Sequence, residues 1–155
     1  MAGDTKVSQE GVGSDVYSSV KIFTTDTSIC GIHGENCEGQ IRAIEWLQQG
    51  SHPENRPEPT KAADWHIIEL SPSGIAIYNT WLERDLLLNK FIAIGSGRKV
   101  AMYCMKILGM SPAEAVREAC KADDWSDVPI YVADLKDLAP RRWVDKTSTT
   151  KRKAK

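Results

Sequence analysis

Long apolar runs are missing from this sequence, as are net charge, paired cysteines and phosphate-loop motifs. No stretch approaches the ~18 apolar residues that cross a bilayer as a helix, so no membrane segment is expected. Twenty Lys and Arg against 21 Asp and Glu leave a formal net charge of −1, which argues against a general attraction to nucleic acid or membrane surfaces. The four cysteines, Cys30, Cys37, Cys104 and Cys120, contain no C-x-x-C pair and follow no secretory signal, so they read as reduced thiols of a cytoplasmic compartment. Cys30-x2-His33-x3-Cys37 comes nearest to a metal motif. A structural zinc site takes four ligands, usually as two tight pairs, and no fourth is visible. No metal or other cofactor is therefore expected.

What is present is an ordinary single-domain composition, 41% apolar and 26% charged over 155 residues. The charge is uneven, however. From Arg141 onward seven basic residues face one acid, Asp145, so the end of the chain is strongly basic and the rest acidic. One domain is expected over 1–138, with 139–155 as a basic, flexible tail.

The chain is organised around 89–108, NKFIAIGSGRKVAMYCMKIL. Phe91 to Ile94 has the length of a buried strand, Gly95-Ser96-Gly97 breaks it, and Arg98 to Leu108 continues as a helix apolar nearly all round. Such a corner invites an anion site at the helix start. Val100 stands where G-x-G-x-x-G needs its third glycine, and G-x-x-x-x-G-K-[ST] is absent, so a tight corner buried in the fold is the simpler reading.

Elsewhere, Tyr17 to Phe23 and Ser28 to Ile32 read as a hairpin closed by Gly34. Glu35 to Gln49 reads as a helix with Cys37, Ile41, Ile44 and Leu47 as its stripe, stopped at Gly50. Three prolines keep 51–60 irregular. Trp65 to Leu70 and Gly74 to Tyr78 form a second hairpin through Ser71-Pro72-Ser73-Gly74. Trp81 to Leu88 fits strand and helix equally. Ser111-Pro112-Ala113-Glu114 opens a helix to about Lys121, with Ala113, Val116 and Cys120 on one face. Val128 to Leu135 is the last strand. Strands in antiparallel pairs with grouped helices make the fold class α+β.

Lys21-Ile22-Phe23, Ile29-Cys30-Gly31-Ile32-His33-Gly34, Ile44-Glu45-Trp46-Leu47, the Ile92-Ala93-Ile94-Gly95-Ser96-Gly97 corner and Pro129-Ile130-Tyr131-Val132 are together similar to the proteasome β-subunit and HslV peptidase group. The likeness is nearest to the small proteasome-like proteins of bacteriophages and bacteria. It covers about Gly3 to Leu135, and the Ala-Ile-Gly-Ser-Gly corner is its most specific piece. It implies an N-terminal-nucleophile hydrolase fold, a four-layer sandwich with helices outside and two antiparallel sheets inside. It also implies subunits assembled into rings, a possible ATPase partner and a peptide substrate. In that family an N-terminal threonine hydroxyl attacks, its own α-amino group serves as base, and backbone amides hold the oxyanion.

Carried over by position, Lys21 matches the electrostatic lysine. Ser96 matches the corner serine, Asp4 the early aspartate, and Asp123 (or Asp124) the late one. Gly31, Gly95 and Gly97 match the oxyanion and turn positions. Read without the resemblance, Lys21 is a solvated strand lysine, and Asp4 and Asp123 are turn residues. The family's threonine and first strand precede the position of Asp4, whereas this sequence starts three residues before it. Ala2, exposed by loss of Met1, has no hydroxyl. Either a Thr-led strand is encoded upstream, or the protein is a silent assembly or structural component, for example in a phage particle. An unpartnered strand edge then needs covering, by another copy or by a replacement strand. The basic segment from Arg141 is one donor, though Pro140 makes it a poor one.

Overall fold

Alternation of apolar and polar residues in 22–34 and 65–78 builds the largest sheet of the computed structural model, which describes residues 1–3, 6–7, 17–18, 21–34, 38–59, 64–123 and 130–142. Three short strands come first: β1 (Ala2–Gly3), β2 (Lys6–Val7) and β3 (Tyr17–Ser18). The sheet itself comprises β4 (Ile22–Thr24), β5 (Ile29–Gly34), β6 (Trp65–Ser71), β7 (Gly74–Tyr78) and β8 (Arg84–Leu87), adjacent in that order and antiparallel throughout. The second expected hairpin forms; the first forms only from Ile22 onward, because Tyr17–Ser18 pairs with β2 rather than continuing into β4. The second turns through Pro72-Ser73, with Ser71 opposite Gly74 and Gly74 at φ +126°. The ambiguous stretch before residue 88 supplies the fifth strand.

Side chains alternate across this sheet, so its two faces pack into two cores. On one face Cys30, Trp65, Ile67 and Tyr78 pack against Ala43, Trp46 and Leu47 of α1 (Glu38–Gln48). The Trp46 and Tyr78 rings meet edge to face, centroids 6.4 Å apart, and Trp46 Nε1 donates to the His52 carbonyl at 2.8 Å. On the other face Ile22 and Ile29 meet Met1, Tyr131 and Ala133. These last belong to a small sheet in which β9 (Tyr131–Val132) lies between β1 and β10 (Arg141–Arg142). β2 pairs with β3 as a separate ribbon.

Helix α2 (Arg98–Lys106) and helix α3 (Pro112–Ala122) pack through Ala101, Cys104, Met105, Ala115 and Ala119, and α3 lies against β1. The start of α3 is as expected: Ser111 Oγ accepts from the Glu114 amide, and Ser111 N–H donates to Glu114 Oε2 at 2.9 Å. The order is therefore α1, large sheet, small sheet, then α2 and α3. It is the α+β four-layer sandwich, with two antiparallel sheets between helices.

Several expectations need correction. The α1 stripe is not Cys37, Ile41, Ile44 and Leu47; the buried positions are Gln40, Ala43, Trp46 and Leu47, and Ile41 is 49% exposed. Trp46 carries the largest apolar area in the helix, and burying it rotates the face that meets the sheet. Cys37 lies outside the described residues. The buried strand expected at Phe91–Ile94 is absent. Those residues are irregular and Phe91 is exposed, because a four-residue apolar run does not ensure a ladder partner. α2 is not covered all round: Tyr103 and Ile107, one turn apart, are 56% and 62% exposed. The last strand shrinks to Tyr131–Val132, because Asp134 turns the chain by accepting from Lys136 N–H at 2.9 Å. Arg141–Arg142 of the basic segment forms β10, and residues 143–155 lie outside the described residues.

A partly exposed ion pair joins three strands on the α1 face. Arg84 Nε donates to Glu69 Oε2 at 2.9 Å, and Tyr78 Oη donates to the same oxygen at 3.3 Å. Burial and the Glu69 charge push the Tyr78 phenol up to about 12. On the same face Cys30 is fully enclosed, and burial pushes its thiol up to about 12. A thiol, not a thiolate, is inert. Alkylation of the native chain with iodoacetamide at pH 8 should leave Cys30 unmodified, while the denatured chain takes up label there. Native modification of Cys30 on mass spectrometry would contradict this packing.

Candidate active site

The Gly-Ser-Gly corner leads from the irregular segment after β8 into α2. Gly95 adopts φ +94°, a left-handed conformation that makes glycine the fitting residue there, and its carbonyl accepts from Arg98 N–H at 3.2 Å. Gly97 is the N-cap of α2 at φ −73°, with no side-chain cap. Between them Ser96 is exposed rather than buried, contrary to the expectation of a buried corner. Its hydroxyl donates to Asp123 Oδ2 at 2.6 Å, and Asp123 is the C-cap residue of α3. The pair is separated by 27 positions in sequence, and the packing of α2 on α3 closes that distance. A hydroxyl bonded to a carboxylate at this length is a charge-assisted contact.

Lys21 immediately precedes β4, and its carbonyl accepts from Ile32 N–H at 2.9 Å. Its charge bears on His33, which also lies against the corner: a Cβ built on Gly95 would stand 3.4 Å from His33 Nδ1. Lys21 and the corner thus border one imidazole, and Ser96 joins Asp123 directly. Gly31 is interior to β5, opposite Ile22 and Ile68, and its α-carbon faces the Met1 thioether. It is therefore a strand residue rather than a turn residue. The Met1 amino group donates to the Ala133 carbonyl at 2.8 Å, and burial holds its pKa below the ordinary value. Asp4 and Asp124 lie outside the described residues.

By sequence, His33 stands in the Cys-His-Cys spacing and in the Ile29–Gly34 stretch of the resemblance, with no role of its own. The structure shows why that spacing is not a ligand set. Cys30 and His33 are an odd number of residues apart on one strand, so they point to opposite faces. Among the described residues no cluster of three or more His, Cys, Asp or Glu is placed to hold a metal, and no helix is long and apolar enough to cross a membrane.

Helices on both outer faces of two stacked antiparallel sheets match a known architecture. HslV from Trypanosoma brucei superposes with a TM-score of 0.62 and 19% identity, covering 81% of this chain and 86% of that one. The fold is the HslV fold. BPH from Thiobacillus denitrificans is similar in two structures. One is in complex with epoxomicin (TM-score 0.54, 18% identity), the other has a TM-score of 0.53 and 20% identity, and both comparisons cover 83% of this chain and 87% of that one. No protein-family model and no curated relative matches the sequence. At this identity the likeness to HslV is one of backbone, so the chemistry rests on the side chains described above.

Proposed function

We propose that this chain is a proteasome- or HslV-like peptidase-family subunit that assembles into homo-oligomeric rings. In this reading Ser96 and Asp123 form the supporting hydroxyl–carboxylate pair beside the attacking group. Lys21 supplies positive charge, and Asp4 supports the site from the N-terminal side. Gly95 and Gly97 shape the turn, and Gly31, within β5, belongs to the backbone around the oxyanion. Peptide is the substrate, and an ATPase is a fitting partner for the ring. The observation that carries the reading is the 2.6 Å Ser96–Asp123 hydrogen bond on an HslV fold.

The attacking group of such a site is a threonine hydroxyl at a free N-terminus, activated by its own amine. Neither Met1 nor Ala2 carries a hydroxyl. Assayed as these 155 residues, the polypeptide should show no turnover of fluorogenic peptides and no covalent labelling by threonine-directed electrophiles. Labelling at any residue, located by mass spectrometry, would overturn that expectation. The same polypeptide led by a Thr-headed strand of about a dozen residues, the length of a two-stranded lead-in, should gain labelling at that threonine and lose it on Ser96→Ala. If the extended chain stays unlabelled, the second reading takes over: a silent assembly or structural component, for instance of a phage particle. The exposed apolar face of α2 favours assembly in either case. Native mass spectrometry should show a ring-sized homo-oligomer, and a monomer would exclude the ring.

A further inference from the structure

We infer that His33 is a positioning residue for the Gly-Ser-Gly corner, its imidazole lying against Gly95 and so setting the Ser96 hydroxyl. The resemblance assigns no role to this position, and no proposed site residue includes it.

The geometry begins on β5. His33 projects from the face of the large sheet turned toward the small sheet, directly opposite His66 in the β5–β6 register. It is partly buried and faces Gly95, where an added carbon would meet Nδ1 at 3.4 Å, an ordinary van der Waals contact. Gly95 holds a left-handed φ, and the next residue is Ser96, anchored on its other side to Asp123. The corner is thus held between an imidazole and a carboxylate, and displacing the first changes the reach of the hydroxyl to the second.

The groups around His33 come from each neighbouring element. Lys21 precedes β4, His66 belongs to β6, Asp64 lies just before it, and Arg98 opens α2. Asp64 is the one acid among them, and it sits 3.7 Å from the His66 ring. Burial is the largest influence on His33. Lys21, His66 and Arg98 add to it and Asp64 opposes it, so the imidazole stays neutral to a lower pH than usual. A proton taken up there puts a charge between Lys21 and Arg98. Because the folded pKa is depressed, the unfolded chain binds the proton first. The contribution of this contact is complete above about pH 6.5 and falls as pH drops through that value toward the folded pKa.

For its catalytic consequence alone, the inference rests on the proposed function. Its test does not. In the full chain, NMR titration from pH 7.5 to 5 should show the Gly95 and Ser96 amide shifts moving with the midpoint of the His33 ring protons, below about 6.5. In His33→Gln that transition should vanish. In Ser96→Ala the Gly95 transition should remain. Flat Gly95 and Ser96 shifts in the wild-type chain would overturn the inference, as would a transition that survives His33→Gln. The wild-type titration decides by itself if His33→Gln fails to fold. No readout involves peptide hydrolysis, so an inactive chain leaves this result standing and a flat titration leaves the peptidase reading standing.

Discussion

Gly34→Ala should leave the chain unable to fold, the largest effect expected of any single methyl group in this protein. Gly34 closes β5 at φ +108°, and a Cβ there would lie 2.2 Å from the Asp64 carbonyl oxygen and 2.5 Å from the Trp65 α-carbon. Both atoms are backbone, so no side-chain rotation relieves the overlap. Relief requires β5 and β6 to separate at the end where β5 leads toward α1. Gly109→Ala is the control. Its φ of +64° is also left-handed, but nothing lies within 4 Å of the added carbon. That change should cost only the conformational penalty, about 1–2 kcal/mol. Far-UV circular dichroism and denaturant melts of the two variants separate overlap from strain. A folded Gly34→Ala protein with near wild-type stability would show that β5 and β6 do not meet in this register.

Trp65→Ala should cost about 3–5 kcal/mol, the range for deleting a large buried aromatic side chain. Against a total stability of roughly 5–15 kcal/mol, that loss brings the domain close to unfolding. Trp65 is 1% exposed and packs in the core shared by the large sheet and α1. Its contribution is almost wholly apolar. The indole N–H has no hydrogen-bond partner among the described residues, so burial carries a desolvation cost with no bond to offset it. Trp65→Phe removes that orphan donor along with part of the ring volume, and should cost much less than Trp65→Ala. Chemical denaturation of the three proteins measures the ordering. A Trp65→Phe loss equal to that of Trp65→Ala would mean that the N–H does find an acceptor in the folded chain.

The hairpin at 65–78 and the start of α3 were legible because their signals are local. Alternating Ile and Leu around Ser71-Pro72-Ser73-Gly74 define a turn, and Ser111 with Glu114 defines a helix start whatever the rest of the chain does. The Ala-Ile-Gly-Ser-Gly corner was legible as a likeness, and it led to Ser96 and Asp123 before their contact was known. The segment before that corner was not legible: Phe91–Ile94 has the composition of a buried strand but no ladder partner. The burying face of α1 was misread for a related reason. Two apolar stripes compete on that helix, and which one wins depends on the shape of the sheet it meets. His33 was hidden altogether, because its significance lies in Gly95, 62 positions away in the chain.

Composition, turn chemistry and periodicity alone determined that this is an α+β domain of paired strands with a glycine corner ahead of a helix. Those properties depend on neighbours within a few residues. Only the tertiary structure decided that α2 packs on α3, that Ser96 thereby reaches Asp123 at 2.6 Å, and that His33 stands against the corner. Each of these is a contact between elements far apart in sequence, set by packing the layers together, and no local preference encodes it.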